Sequence, residues 1–479
     1  MYHIEDLKKF VRCPRLYFLS SKQTTNNHYL RSDESLNDLL IRYLKIDNYY
    51  KGVVNDNNER FFDQKDNYDW FLKTRFEDYE LRIKVPLMHK VDGGYDIYFI
   101  YNSTSIKELD PFYYRINLEV LENLGIEVKE VYIAYINGEY VFDEVLDVDS
   151  LFILTNKKND ERLLDYLNKE IVDYKYLIDR IKATNLNAYS PIKTRSCHLR
   201  NQCSYYYDCF KEEKDLPEDS ILTLVSSQYK DKMYKKGVTR LKDVDLNLLE
   251  GNRVQYAQIM ASKNNGLYVN KYALKNYLSK LNTRPITFLD FEWDTYLIPQ
   301  YNKMKPLKVL PFEYVIYVLD ENNELKHYTF VGKGDCRREF AQGLLKYIPK
   351  KGPILAYNAY GAECIRIKEL IEYFPEYSEK LNKINSRFKD LATPFLEGLI
   401  YDTRMRGNYS LKSIVNAISD YDYKDLEINN GMNAVYSWRD IDKDSENIDE
   451  GKIINELIEY CSLDAYGLYL VYKWLCEQI

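Results

Sequence analysis

The chain has 479 residues, 45% of them hydrophobic and 29% charged, with a formal net charge of −7. That length admits two or three domains, and the composition is that of a folded globular protein rather than a disordered one. The acidic balance argues against nucleic-acid binding spread over the whole surface, though not against a local basic groove. No apolar run reaches the roughly 18 residues of a membrane span, so no membrane partner is expected.

Residues 1–20 read as a helix. They lack the apolar core and small-residue cleavage site of a signal peptide, so a cytoplasmic location is the default expectation. The 48 Tyr residues, with many Asn, Lys and Ile, read as codon bias rather than as a binding function. Residues 50–70 are polar and Asn/Asp-rich, the pattern of a loop or poorly ordered insert. Segments 80–88, 95–101 and 128–136 have strand-like apolar content, with Asp92-Gly93-Gly94 as a turn between the first two. Residues 115–124 read as a helix closed by Gly125, which makes a β-β-α-β unit, and a further strand is expected at Tyr140. Residues 149–185 read as helical, as does most of 211–282.

A change of pattern follows. Segments 286–293, 312–319, 325–331 and 354–357 read as four strands, with a helix at 337–347. More helices come next, then a loop-rich stretch at 419–450 and a last helix at 452–477. The expected division is 1–212, a helical linker region at 213–282, and 283–479, all of α/β class.

On the strand 286–293, alternation puts Leu289, Phe291 and Trp293 on one face and Asp290 and Glu292 on the other. Two acids pointing the same way repel unless a cation sits between them, and hard ions such as Mg²⁺ take oxygen ligands. A solvent-facing strand edge is the plainer alternative. On the last helix, Leu457, Cys461, Leu468, Val471 and Leu475 form an apolar stripe, and Asp464 lies on the same line. A carboxylate there must be paired or must ligate a metal. Tyr460 sits one turn earlier on the same side. Between these elements, a strand ending in Tyr357-Asn358 runs into a helix that begins near Glu363, and α/β sheets commonly place ligands at such strand ends.

This order of Asp-x-Glu, Asn with a following acid, and Tyr-x-x-x-Asp resembles the DEDD exonuclease superfamily in its tyrosine-bearing branch. The resemblance covers about 283–479 and implies a ribonuclease-H-like mixed sheet with helices. It departs from the family at the second motif. Ala362 stands where an aromatic residue is expected, Glu363 stands where Asp is expected, and Asp390 competes for the role of fourth acid. A wider set of stretches is similar to an uncharacterised bacterial family that joins a RecB-like half to an exonuclease half. These are Phe288-Leu-Asp-Phe-Glu292, Pro311-Phe-Glu-Tyr314, Asp335-Cys-Arg-Arg338, Tyr357-Asn358, Gly407-Asn-Tyr-Ser-Leu-Lys412 and Tyr460-Cys-Ser-Leu-Asp464. What the resemblance implies is 3′→5′ hydrolysis of single-stranded DNA or RNA with two Mg²⁺ or Mn²⁺ ions about 3.5–4 Å apart. Asp290, Glu292, Glu363 and Asp464 would hold the metals and Tyr460 would orient the attacking water. Asn358 and Lys412 would contact the substrate. A structure-specific endonuclease with the same acids stays open.

Eight Cys are present. Cys336, Cys364, Cys461 and Cys476 are scattered and read as core filling. Cys13, in Phe10-Val-Arg-Cys13-Pro14-Arg15, together with Cys197, Cys203 and Cys209, resembles the iron–sulfur nucleases of RecB type. That resemblance implies a [4Fe–4S] cluster on four thiolates, with Zn²⁺ as the alternative. Aligned on that family's PD-(D/E)xK pattern, Phe99 and Tyr101 stand where Glu and Lys are expected. Pro86, Leu87 and Met88 cover the Asp position, and Asn117 replaces a helix Gln. The N-terminal half is therefore expected to be a degenerate, catalytically inactive domain. Arg180, Lys182, Lys193, Arg195 and Arg200 are candidate phosphate contacts. Residues 229–243, with five Lys and an Arg around a turn, resemble a phosphate-binding hairpin, with a plain helical linker as the alternative. The competing function is a non-catalytic nucleic-acid-binding scaffold built from two decayed nuclease folds.

Overall fold

Pro14 has no N–H to continue a helix, and it restrains the residue before it to an extended backbone. Cys13 is accordingly extended (φ −170°, ψ 121°), and the single predicted helix is two, Ile4–Arg12 and Pro14–Ser20. The computed structural model describes residues 1–22, 30–32, 34–197, 202–249, 251–421, 426–443, 445 and 448–479. Arg200, a candidate phosphate contact, lies outside them. The architecture is mixed α/β, with two multi-stranded sheets that each combine parallel and antiparallel pairs. No helix among the described residues is long and apolar enough to cross a membrane.

The chain divides into two compact units, Met1–Asp215 with Thr295–Lys308, and Leu216–Asp294 with Val309–Ile479. Residues 216–282, expected as a separate linker, are counted in the second unit. Residues 295–308, expected in the C-terminal domain, are counted in the first.

The first unit is built on strands Tyr50–Lys51, Trp70–Asp78, Leu81–Val91, Gly94–Tyr101, Val128–Ile136 and Phe152–Thr155, in that spatial order. Gly94–Tyr101 and Val128–Ile136 pair in parallel, with the helix Pro111–Asn123 as the crossover between them. Gly93 and Gly125 turn the chain at φ +73° and +71°, a conformation open to glycine without steric penalty. Helices Ile4–Arg12, Pro111–Asn123 and Tyr174–Ala183 bury Leu7, Leu118 and Ile178 against one face of this sheet. Leu39, Leu40, Leu151 and Leu297 pack with Leu72 and Leu87 in the core of the other face.

Several expectations here need correction. Residues 50–70 are not a loop throughout: they hold a strand and the helix Asn58–Gln64, whose Phe61 is buried. Tyr140 begins no strand; its buried ring sends the hydroxyl to accept the Asp147 N–H at 3.0 Å. Residues 149–185 are interrupted by the strand Phe152–Thr155 and a short hairpin, Lys157–Lys158 with Glu161–Arg162. Pairing with Val128–Ile136 overrode the helical pattern there.

The sheet of the second unit runs Leu325–Val331, Val309–Leu319, Ile286–Tyr296, Ile354–Ala356, Phe388–Asp390. The last three of these strands are mutually parallel. Leu289, Phe291, Tyr314 and Ile316 form a core with Phe340 and Ile367 on one face. Phe288 and Leu355 form another with Ile414, Leu468 and Val471, the last two on the terminal helix Glu450–Glu477. The stretch 419–450 is less loop-rich than expected, because the helix Gly431–Asp442 occupies its middle, capped by the Asn430 side chain on the Asn433 N–H. Its Trp438 stacks on Phe312 at 4.4 Å and donates to the Gly332 carbonyl at 2.8 Å. Arg439 on the same helix meets the buried Asp294 through two bonds of 2.9 and 2.6 Å.

Candidate metal centre

The strand Ile286–Tyr296 buries Ile286 and Phe288 toward the terminal helix, and the next two residues on that face are Asp290 and Glu292. Along the terminal helix, Leu457, Cys461, Leu468, Val471 and Leu475 are all buried, as are Tyr460 and Asp464. One face of a strand and one stripe of a helix therefore run out of apolar residues at the same place. Ligand oxygens of Asp290, Glu292 and Asp464 lie within 4.8 Å of one another there, a set able to hold a metal ion.

The electrostatics of this cluster are adverse without a cation. Burial, then the charges of Asp464, Glu292 and Glu363, raise the Asp290 carboxyl well above the usual range. Burial and Asp464 push Glu292 up to about 8, against the opposing charge of Lys412. The helix Gly431–Asp442 begins beside Glu292: a Cβ added to Gly431 would stand 3.5 Å from the Glu292 Oε2. Its partial positive end favours the ionised carboxylate. The Cys461 thiol donates to the Asp290 Oδ2 at 3.3 Å. The donor set is all carboxylate oxygen, the chemistry that suits Mg²⁺ or Mn²⁺.

Glu363 begins the helix Glu363–Tyr373 and is 3% exposed, with its Oε2 lacking any hydrogen-bond partner among the described residues. Burial pushes it up to about 8, and its charge in turn raises Asp290 and Glu292. It lies outside the 4.8 Å group. Asp390 is occupied otherwise. Its Oδ1 accepts the backbone N–H groups of Asn358 at 2.8 Å and Ala392 at 2.9 Å, so it ties down the loop after Ile354–Ala356. Asn358 is exposed, sits at φ +58°, and makes no hydrogen bond to the triad among the described residues.

Lys412 lies beside Tyr460. Its Nζ donates to the Tyr460 hydroxyl at 3.3 Å and to the Asn429 carbonyl at 2.8 Å, and stands 4.6 Å from the centre of the Tyr460 ring. Burial, then Asp464, Glu292 and Asp290, keep the Tyr460 phenol firmly protonated. Lys412 reaches this place because Gly407 lets the chain turn tightly. At φ +74°, a Cβ on Gly407 would meet the Thr223 carbonyl oxygen at 2.1 Å, and the Gly407 N–H bonds the Tyr401 hydroxyl at 2.8 Å. Ser410 then caps the helix Leu411–Ile418.

Two residues of this site carry a different weight from the one their sequence pattern suggested. Cys461 was expected as core filling; it is buried, and it also bonds a candidate ligand. Glu313 was quoted only inside Pro311-Phe-Glu-Tyr314. It is fully buried, neither carboxylate oxygen has a hydrogen-bond partner among the described residues, and burial, then Glu292, raise it well above its usual range. The available signal was a lone acid inside the apolar run of Val309–Leu319.

In the first unit, Cys13, Cys197, Cys203 and Cys209 line one pocket together with Arg12 and Leu16. The Cys203 N–H bonds the Cys197 carbonyl at 2.9 Å, and Arg12 donates to the Ser196 carbonyl at 3.2 Å. The four thiols share this pocket, but no three of them lie within 4.8 Å of one another. Burial raises the Cys209 thiol, Arg15 opposes that, and Cys13 and Cys203 add to it. Phe99, at the position aligned with a catalytic Glu, packs edge-on against Tyr114 at 4.9 Å. Asn117 is buried and donates to the Tyr113 carbonyl at 2.8 Å. Of the expected phosphate contacts, Lys182 is paired with Glu80 at 2.5 Å and Lys193 with Glu213 at 3.2 Å. Residues 229–243 form one short helix, Lys230–Lys235, and a single 3₁₀ turn rather than two helices.

Residues 287–410 match the model of a domain of unknown function, DUF2779. The match takes in Asp290, Glu292, Glu313, Asn358, Glu363 and Asp390, and ends before Lys412, Tyr460 and Asp464. No curated protein and no solved structure matches the chain.

Proposed function

We propose that the second unit is a metal-dependent nuclease, a 3′→5′ exonuclease of DEDD type on a ribonuclease-H-like fold, acting on single-stranded DNA or RNA. The observation that carries this reading is the convergence of Asp290, Glu292 and Asp464 within 4.8 Å, in a setting that penalises their charge. Lys412 adds a positive charge here that opposes the rise of Glu292, and it bonds Tyr460 and Asn429.

Asp290, Glu292 and Asp464 would hold two Mg²⁺ or Mn²⁺ ions, with Glu363 as the fourth acid. When bound, such ions activate water and stabilise the leaving oxygen of a phosphodiester. The residues of the chain supply the rest. The protonated Tyr460 hydroxyl orients the nucleophilic water, and Lys412 fixes that hydroxyl while placing a positive charge beside the phosphate. The Cys461 thiol orients the Asp290 carboxylate. Glu363, one methylene longer than Asp, begins its helix outside the 4.8 Å group, and its charge acts on Asp290 and Glu292.

The first unit is read as a RecB-like domain that has lost its acids and keeps a [4Fe–4S] cluster, or Zn²⁺, on Cys13, Cys197, Cys203 and Cys209. An anaerobically purified protein with iron and sulfide near four each supports the cluster; a colourless protein with one zinc replaces it.

The test of the nuclease reading is shortening of a 5′-labelled oligonucleotide with Mg²⁺ or Mn²⁺. Asp290→Ala and Asp464→Ala should each lower the rate at least about a thousandfold. An oligonucleotide left intact by the wild type, under conditions where it is bound, would leave the non-catalytic scaffold in its place.

A further inference from the structure

On the strands Trp70–Asp78 and Leu81–Val91, Arg75 and Lys84 stand directly opposite one another. Like charges at opposed positions of a ladder are destabilising, and such pairs are ordinarily avoided. Phe76 and Ile83, their neighbours along the strands, pack into the core of one sheet face, so Arg75 and Lys84 project from the other. Lys73 adds a third cation. None of the three forms an ion pair with a carboxylate among the described residues. Partial burial, then Arg75 and Lys73, lower the Lys84 ammonium below its usual range, and no acid opposes them. No carboxylate among the described residues offsets the cost of this arrangement.

The patch opens onto a groove of about 710 Å³. Lys84, Pro86, Ile100 and Asn102 line it, as do Ser32 and Asn37, whose polar groups can both donate and accept hydrogen bonds. Glu34 at the same groove is already paired with Arg42 at 3.1 Å. Further along the same face, Trp70 stacks on His89 at 3.9 Å and Tyr98 on Tyr132 at 4.8 Å, all within or against one core. The acids Asp96 and Glu130 lie at that aromatic end.

We propose that Lys73, Arg75 and Lys84, with the groove beside them, bind the phosphate backbone of a single-stranded nucleic acid. The assignment takes from the proposed function only the identity of the polyanion. Arg75 and Lys84 face each other across the ladder, and Lys73, two residues before Arg75, adds its charge beside them. Three charges so spread exceed what one small anion covers, and they suit successive phosphates of an extended chain. The proposed nuclease function favours a nucleic acid over an acidic peptide, and competition with poly-glutamate separates the two.

The experiment uses the full chain in EDTA, where no hydrolysis occurs, and a fluorescein-labelled single strand of about 16 nucleotides. Binding is followed by anisotropy over a range of salt. The double variant Arg75→Gln/Lys84→Gln should bind about tenfold more weakly or worse, and the slope of log K against log salt should fall by about 1.4. Lys84→Gln alone, at an exposed position, should fall between the two, and neither variant should melt below the wild type. Affinity and slope equal to wild type in both variants overturn the proposal. So does displacement of the oligonucleotide by poly-glutamate as effective, charge for charge, as by unlabelled oligonucleotide. The outcome is separate from the catalytic reading: salt-dependent binding without metal-dependent cleavage removes the exonuclease and leaves this surface.

Discussion

The Cys461 thiol donates a hydrogen bond to the Asp290 carboxylate, Sγ to Oδ2 at 3.3 Å. The terminal helix thus contributes Asp464 directly and, one turn earlier, steadies a carboxylate on the facing strand. Groups that orient ligands in this way commonly matter about 10–100-fold to metal affinity, and a thiol, as a weak donor, belongs at the lower end. Cys461→Ala should therefore weaken Mn²⁺ binding by about tenfold in titration calorimetry. Equal affinity in the variant would make Cys461 plain core filling.

Tyr460 is expected to act on the water and not on the metals. Tyr460→Phe keeps the ring over which Lys412 sits and removes only the hydroxyl. It should lower kcat by about 10²-fold, with KM and Mn²⁺ affinity close to wild type. A parallel loss of metal affinity would place the phenol oxygen among the ligands instead.

Glu292 and Glu363 are both pushed up to about 8 from an ordinary 4.5. A carboxyl raised on folding keeps a proton that the unfolded chain has released. Its stabilising contribution is full below about 4.5 and is lost as pH rises toward about 8. The metal-free protein should accordingly melt at a lower temperature at pH 8 than at pH 6. Mn²⁺ should raise the melting temperature more at pH 8 than at pH 6, because the ligands must lose their protons to bind it. Scanning fluorimetry at the two pH values, with EDTA or Mn²⁺, checks both statements; a pH-independent metal shift contradicts them.

Asp294 and Arg439 form a two-bond pair, with the Asp294 side chain wholly buried. Breaking such a pair from one side removes these two bonds from a largely buried guanidinium. Asp294→Ala should cost about 3–5 kcal/mol in denaturant unfolding. Because this pair anchors the helix whose first turn adjoins Glu292, the same variant should also weaken metal binding.

The legible part of the site was the part written in periodicity. Asp290 and Glu292 differ from Leu289 and Phe291 by one step of a strand, and Asp464 interrupts a helical stripe, so each could be assigned a face without coordinates. Glu363 and Asp390 could not be separated in that way. Glu363 begins a helix after one short strand and Asp390 ends another before a helix, and only the bonds from Asn358 and Ala392 show Asp390 engaged in holding a loop. The helix Gly431–Asp442 was missed because its capping Asn430 and polar surroundings resemble a loop, while its burial rests on Trp438, Ile441 and Val435 meeting distant residues.

By itself the sequence determined the alternation of residues along each strand, the stripe of the terminal helix and the break at Pro14, because these follow from backbone geometry over a few residues. Tertiary structure alone decided which acids share a site, that Glu313 is fully buried, that Cys461 bonds Asp290, and that Arg75 faces Lys84. Each of these depends on the register between segments far apart in the chain, and register is set by how whole faces pack, which no local pattern records.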